Sequence, residues 1–241
     1  MGQSEIPKPQ PAVRTQTRTP WQNGPVDAVA FDMDGTLLNS GDFGVRAIRL
    51  AFEQMIALGD LPGLNEAPSD DLIRAQIGKP PHEFYRDLLP QGAQHLAKHL
   101  HSIAGANERA FLKQGTGKLF DGALDVLREL RGRGLKLLLV SNCTQDYMDA
   151  VVETFALDEL LHFRSAVGRD SNRTKTGELG RGLSEVGAKR AIMVGDRHHD
   201  GEAARANGAW FVACTYGYGK PEEFTGADAS IGDIRQLPGL L

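Results

Sequence analysis

The 241-residue chain carries 31 acidic against 27 basic side chains, a net charge of -4, with 41% apolar and 24% charged residues. That length holds one large domain, or a core with a smaller companion, and the mild acidity argues against a general nucleic-acid binder. Cys143 and Cys214 are too few for a disulfide framework or a zinc site, and no run approaches the roughly 20 apolar residues of a membrane span. Two unpaired thiols and an N-terminus without an apolar signal core lead to the expectation of a cytoplasmic protein.

Residues 1–24 alternate Pro7, Pro9, Pro11 and Pro20 with Gln, Thr, Lys and Arg. So little apolar material predicts a disordered tail. A first strand then runs through Val26, Ala28, Val29, Ala30 and Phe31, into Asp32-Met33-Asp34-Gly35-Thr36. Positions i and i+2 of a strand point the same way, so Asp32 and Asp34 form an acidic pair. Gly35 lets the chain turn sharply away. The pair sits where open α/β sheets bind ligands, beyond the C-terminal end of a buried strand. Carboxylates so close repel each other, and they require a metal, a shared proton or different roles.

About eighty residues follow with no convincing strand. Helical spacing is predicted over Phe43 to Leu58, Asp70 to Ile77, His82 to Leu89 and Gln94 to Lys113. A crossover needs only about a dozen residues plus loops, so residues 41–117 read as an inserted all-helical cap. Glycines at Ser40-Gly41 and Gly115-Thr116-Gly117 suit a hinge, with the insertion lying over the acidic pair as a lid. Residues 25–40 and 118–241 form the core. Its further strands are Leu135 to Val140, Phe163 to Val167, Ala191 to Val194 and Trp210 to Ala213, separated by helices near Leu124, Met148 and Leu179. Continuous apolar runs mark strands covered on both faces, hence a doubly wound parallel sheet.

Four polar groups fall at strand ends: Asp32 with Asp34, Ser141-Asn142, Lys175, and Asp196 with Asp200. The sheet edge collects them in space. Carboxylates supply hard oxygens for Mg²⁺, while a lysine and a hydroxyl orient phosphoryl oxygens. A carboxylate can then attack phosphorus. Lys79, on the cap stretch Gly78 to Pro81, is the candidate for a substrate's second charged group. His198-His199 diverge rather than pair on a metal. His95 and His99 share a helix face, but with His101 they read as part of a solvated cap helix. Cys143 reads as an inert thiol, and Gly217, Tyr218 and Gly219 as a loop shaping the sheet edge.

Asp32-x-Asp34-Gly35-Thr36, Ser141-Asn142, Lys175 and Gly195-Asp196-x3-Asp200 resemble, in order, the four motifs of the haloacid dehalogenase-like hydrolases. The resemblance covers nearly everything after Pro25 and implies a Rossmann-like core with an α-helical cap. It implies Asp32 as nucleophile, Asp34 as general acid and base, and Mg²⁺ on Asp32, the Asp34 carbonyl, Asp196 and Asp200. Ser141, Asn142 and Lys175, with Gly35 and Thr36, would hold the phosphoryl group. Asp34 argues against dehalogenases and phosphonatases, and Thr176 after Lys175 leans away from sugar-phosphate mutases. Ile77-Gly78-Lys79-Pro80-Pro81-His82-Glu83-Phe84, Gly195 to Asp200 and Tyr216-Gly217-Tyr218-Gly219 resemble phosphoglycolate phosphatases most. Two features depart from those enzymes: Leu119-Phe120-Asp121-Gly122 lacks their proline, and glycines 177, 180 and 182 weaken the helix after Lys175.

The expectation is a phosphatase of small phosphorylated metabolites, phosphoglycolate first, with nucleotides, sugar phosphates and pyrophosphate as alternatives. A receiver-type signalling domain and a catalytically silent phospholigand-binding protein are the competing readings, and the oligomeric state, monomer or homodimer, stays open.

Overall fold

The computed structural model describes residues 19–61, 63–168 and 172–241. In chain order its main elements are β1 (Ala28–Phe31), α1 (Phe43–Ala57), α2 (Asp70–Arg74), α3 (Pro81–Leu88), α4 (Ala97–Lys113) and α5 (Ala123–Gly132). There follow β2 (Lys136–Ser141), α6 (Gln145–Thr154), β3 (Phe163–Ala166), α7 (Lys175–Glu185), β4 (Ala191–Gly195), α8 (His198–Ala206), β5 (Trp210–Cys214) and β6 (Ala229–Ile231). The strands form one sheet in the order β3-β2-β1-β4-β5-β6, parallel throughout. Strand order reverses at β1, whose Phe31 pairs with Leu139 on one side and Val194 on the other. The switch point of the sheet therefore lies between β1 and β4, where such sheets open a ligand crevice.

The continuous apolar runs feed two cores. Val29, Phe31, Leu137, Leu139, Ile192 and Val194 face a cluster with α5 and α6. Ala28, Ala30, Leu138, Val140 and Met193 face another with α7 and α8. Alternate residues point to opposite faces, so only a strand apolar at every position fills both. The segment between β1 and α5 folds on a third cluster of its own, built from Ala51, Phe52, Met55, Ile73, Leu100 and Ala104, where α1 packs on α4.

Several local features differ from expectation. The fourth cap helix begins at Ala97, after a 3-10 turn over Gln91–Leu96, so His95 and His99 share no helix face. The sixth strand, β6, was not predicted: it has three residues, and only Ile231 is buried. Helix α7 forms despite its glycines, and close packing accounts for Gly180 and Gly182. A Cβ on Gly182 would sit 2.6 Å from the Phe163 ring and 2.9 Å from Leu138, against the sheet.

Of the expected disordered tail, residues 1–18 lie outside the described residues. Its end, by contrast, is built into the core. Pro20–Asn23 make a 3-10 turn. Trp21 is 3% exposed, donates its indole N–H to the Leu240 carbonyl at 2.7 Å, and packs 5.8 Å from the Trp210 ring. Removing so large a buried side chain leaves a cavity. Trp21→Ala should lower the unfolding free energy by about 3–5 kcal/mol, measured by urea titration of the circular-dichroism signal. Unchanged stability would show that this turn adds nothing to the core.

Candidate active site

The acidic pair leaves β1 as expected. Asp32 donates its backbone N–H to the Val194 carbonyl, continuing the sheet by one residue, and the chain then turns at Gly35. Gly35 has a φ of +86°, and a Cβ there would overlap the Asp196 carboxylate. From the next strand, β4, the chain delivers Asp196, whose Oδ2 accepts the Tyr218 backbone N–H at 2.6 Å. Gly219 lies so near that a Cβ would run into the Asp196 carbonyl. Glycine at these two positions lets separate loops close on the one residue Asp196.

Lys175 stands at the N-terminus of α7, where the helix dipole disfavours an ammonium. Its compensation is direct: Nζ donates to Asp32 Oδ1 at 2.5 Å and to Asp200 Oδ1 at 2.6 Å, and all three side chains are buried. Asp200 is fully partnered, because its Oδ2 also accepts the Arg197 N–H at 2.9 Å and caps α8. Asp32 and Asp196 are not. Asp32 Oδ2 and Asp196 Oδ1 are buried without a hydrogen-bond partner. Oxygens of Asp32, Asp196 and Asp200 lie within 4.8 Å of one another. Orphaned buried carboxylate oxygens are costly unless a ligand takes them, and this donor set fits a hard divalent cation.

Electrostatics follow the burial. Desolvation raises Asp32, with Lys175 opposing, and lifts Asp196 well above the carboxylate range. Burial also raises Asp34 to about 6, offset by the hydroxyls of Ser40 and Tyr147. Tyr147, on α6, donates to Asp34 Oδ1 at 3.1 Å. The carboxylates of Asp87 and Glu223 are pulled the other way, the first by Lys79 and the second by His198 and Arg197 against its burial.

The other predicted positions divide. Ser141 and Thr36 are buried at the site. The Asn142 side chain turns to the cap, donating to the Gly78 carbonyl at 3.0 Å. Lys79 lines the cavity but sends its ammonium to Gln76 Oε1 at 2.6 Å and Asp87 Oδ2 at 3.0 Å. His198 binds Glu223 at 2.8 Å, and His101 stacks on Tyr85. Cys143 lines the cavity with a thiol pushed up by burial.

Several contributors carry no signal in the local sequence. Tyr147 reaches Asp34 from the opening turn of α6. Arg197, 5% exposed, donates to the Ile77 carbonyl of the cap and pairs with Glu223 at 2.9 Å. Glu108, on α4, lines the cavity over Asp34. An arginine inside the stretch from Gly195 to Asp200 was the one visible hint.

Between core and cap lies a cavity of about 70 Å³, lined by Asp34, Ser141 and Tyr147 below and by Tyr85, His101 and Glu108 above. Among the described residues, no helix is long and apolar enough to cross a membrane.

The family model for haloacid dehalogenase-like hydrolases matches residues 29–214, and the chain belongs to that family. Tyrosine-protein kinase PtkA of Mycobacterium tuberculosis is 27% identical over 198 residues, 80% of this chain, and the match spans only 64% of that relative's length. Phosphoglycolate phosphatase of Pseudomonas putida is 27% identical over 231 residues, 88% of this chain and 78% of that one. A crystal structure of a predicted phosphoglycolate phosphatase from Haemophilus somnus shares the fold, with a TM-score of 0.75 at 20% identity, covering 89% of this chain and 97% of that one.

Lys175→Met removes the one ammonium between two buried carboxylates. At pH 8 it should destabilise the protein by about 3–5 kcal/mol. The unpaired carboxyls would have folded-state pKa values above their unfolded ones, so stability is lost as pH rises through the folded values and regained below them. The deficit should shrink between pH 8 and pH 5 in thermal melts followed by circular dichroism. A deficit independent of pH would mean that the lysine acts through packing alone.

Proposed function

We propose that the protein is a Mg²⁺-dependent phosphatase of small phosphomonoesters, working through an aspartyl-phosphate on Asp32 beneath a cap formed by residues 41–117. The observation that carries this reading is the pair of orphaned buried oxygens, Asp32 Oδ2 and Asp196 Oδ1, beside Lys175. Asp32, Asp196 and Asp200, with the Asp34 carbonyl, would hold the ion, which when bound supplies positive charge to the carboxylates and to the phosphoryl oxygens.

The chain's own residues do the rest. The Asp32 carboxylate attacks phosphorus, and Asp34 gives its proton to the departing alkoxide, a strong base. Its raised pKa, about 6, supports a proton carried close to neutrality. The Tyr147 hydrogen bond fixes which Asp34 oxygen faces the leaving group. Ionised Asp34 then deprotonates the water that attacks the aspartyl-phosphate, releasing phosphate and restoring Asp32. Ser141, the Asn142 backbone, Lys175, Gly35 and Thr36 would orient the phosphoryl oxygens. Hydrogen bonds from Arg197 and Asn142 to the cap carbonyls of Ile77 and Gly78 support a cap that closes over the site. The names of relatives such as the Pseudomonas putida enzyme support phosphoglycolate as a candidate substrate. The cap lining governs that choice.

p-Nitrophenyl phosphate should be hydrolysed with Mg²⁺ and not with EDTA, and Asp32→Asn should lower kcat by at least about 10³-fold with its circular-dichroism spectrum intact. Undiminished turnover in that variant would sink the mechanism.

A second expectation concerns pH. Asp32 and Asp196 are raised in the folded state, so without metal their contribution to stability is lost as pH rises. His199, lowered to about 3, acts oppositely but only below its unfolded value near 6.5. Metal binding needs the deprotonated carboxylates. The Tm gain on adding Mg²⁺ should therefore grow between pH 6.5 and pH 8 in differential scanning fluorimetry. A gain that shrinks with pH would contradict a carboxylate site.

A further inference from the structure

The cavity beside Asp34 is small and carries an uncommitted carboxyl. Its volume is about 70 Å³. It is partly open to solvent, and the part against Asp34 suits a compact leaving group. The core floor supplies Asp34 and the Tyr147 hydroxyl. On the cap side Glu108 reaches in from α4, partly buried, and its electrostatic partners are Asp34 and Arg109 with no hydrogen bond to either. Burial and the Asp34 carboxyl raise Glu108 to about 8 with Arg109 opposing, so near neutrality it keeps its proton until an arriving cation or donor draws it back to the carboxylate.

Phosphoglycolate would bring a second carboxylate to this end of the cavity. Among the described lining residues Lys79 is the one lysine or arginine, and its ammonium is occupied by Gln76 and by Asp87 at 3.0 Å. Lys175 is likewise held between Asp32 and Asp200, on the phosphoryl side. An entering carboxylate would be desolvated beside the Glu108 and Asp34 carboxyls, with the one lining lysine already paired with Asp87. A group that donates hydrogen bonds would instead satisfy Glu108.

Resting on the phosphomonoesterase reading, we infer that Glu108 is a specificity-determining residue, and that the preferred substrate is the phosphate ester of a compact alcohol whose far end carries hydrogen-bond donors, an ammonium or hydroxyls, and no carboxylate. Glu108 accepts from those donors while the ester oxygen faces Asp34.

The test compares kcat/KM for phosphoethanolamine, glycerol 3-phosphate and 2-phosphoglycolate, with p-nitrophenyl phosphate as a generic ester, all with Mg²⁺. Wild type should favour one of the donor-ended esters over phosphoglycolate by about tenfold or more, the scale of a hydrogen bond to a charged group. The better of the two identifies ammonium or hydroxyl as the donor. Glu108→Gln should reduce that preference by about tenfold, and Glu108→Lys should reverse it by admitting the carboxylate. Preference for phosphoglycolate in the wild type would overturn the inference while leaving the phosphatase reading standing. An unchanged ratio in a folded Glu108→Gln variant would overturn it equally. If neither variant folds, the wild-type ratio decides. If wild type hydrolyses none of the four esters, the phosphatase reading falls and this inference with it.

Discussion

The structure depends on an unbalanced charge. Asp32, Asp196 and Asp200 are all buried beside the single ammonium of Lys175. Three carboxylates against one ammonium leave two negative charges over when all are ionised. Burying charge without compensation is among the costlier things a fold can do. Two oxygens of the cluster still have no partner. The raised pKa values of Asp32 and Asp196 express the same debt in protons. A cluster of this kind is stable only in company, whether the company is protons, a cation or a charged ligand's counterion.

The scaffold is arranged to hold the cluster in spite of that cost. Adjacent central strands β1 and β4 release Asp32 and Asp196 side by side, and both strands are buried at every position, which keeps the two aspartates fixed. Glycines remove every Cβ that would stand between the loops. The same loops also tie down the cap. Asn142 follows β2, Arg197 follows Asp196, and both donate to consecutive carbonyls of one cap loop. Arg197, the neighbour of Asp196 in the chain, is thus in direct contact with the helical insertion.

Much of this was legible in the chain because it rests on coarse physics. A strand buried on both faces must be apolar at each position, so β1, β2, β4 and β5 announce themselves. Charged residues directly after such runs stand out, which draws attention to Asp32, Asp34 and Asp196 as carboxylates gathered at the sheet edge. The rest depends on facts that local pattern does not hold. β6 is too short and too exposed for periodicity. Trp21 lies in a segment whose composition reads as disordered, and only its distant partners Trp210 and Leu240 make it part of the core. Gly182 looks like a helix breaker until the Phe163 ring is placed against it. Lys79 and Asn142 were found as positions, but where a long side chain goes is decided by neighbours such as Asp87 and Gly78. Glu108 is one acidic residue among many on a cap helix, and nothing short of the folded cavity distinguishes it.

The contact between Trp21 and Trp210 has a consequence for any optical study of the molecule. These are the chain's two tryptophans, and both belong to the cluster on the α5–α6 side of the sheet. The helical insertion, with its separate apolar core, contains none. Intrinsic indole emission is therefore a local reporter of one corner of the sheet. Loosening of the helices above the site would leave it dark, and only a fluorophore placed among them would see that motion.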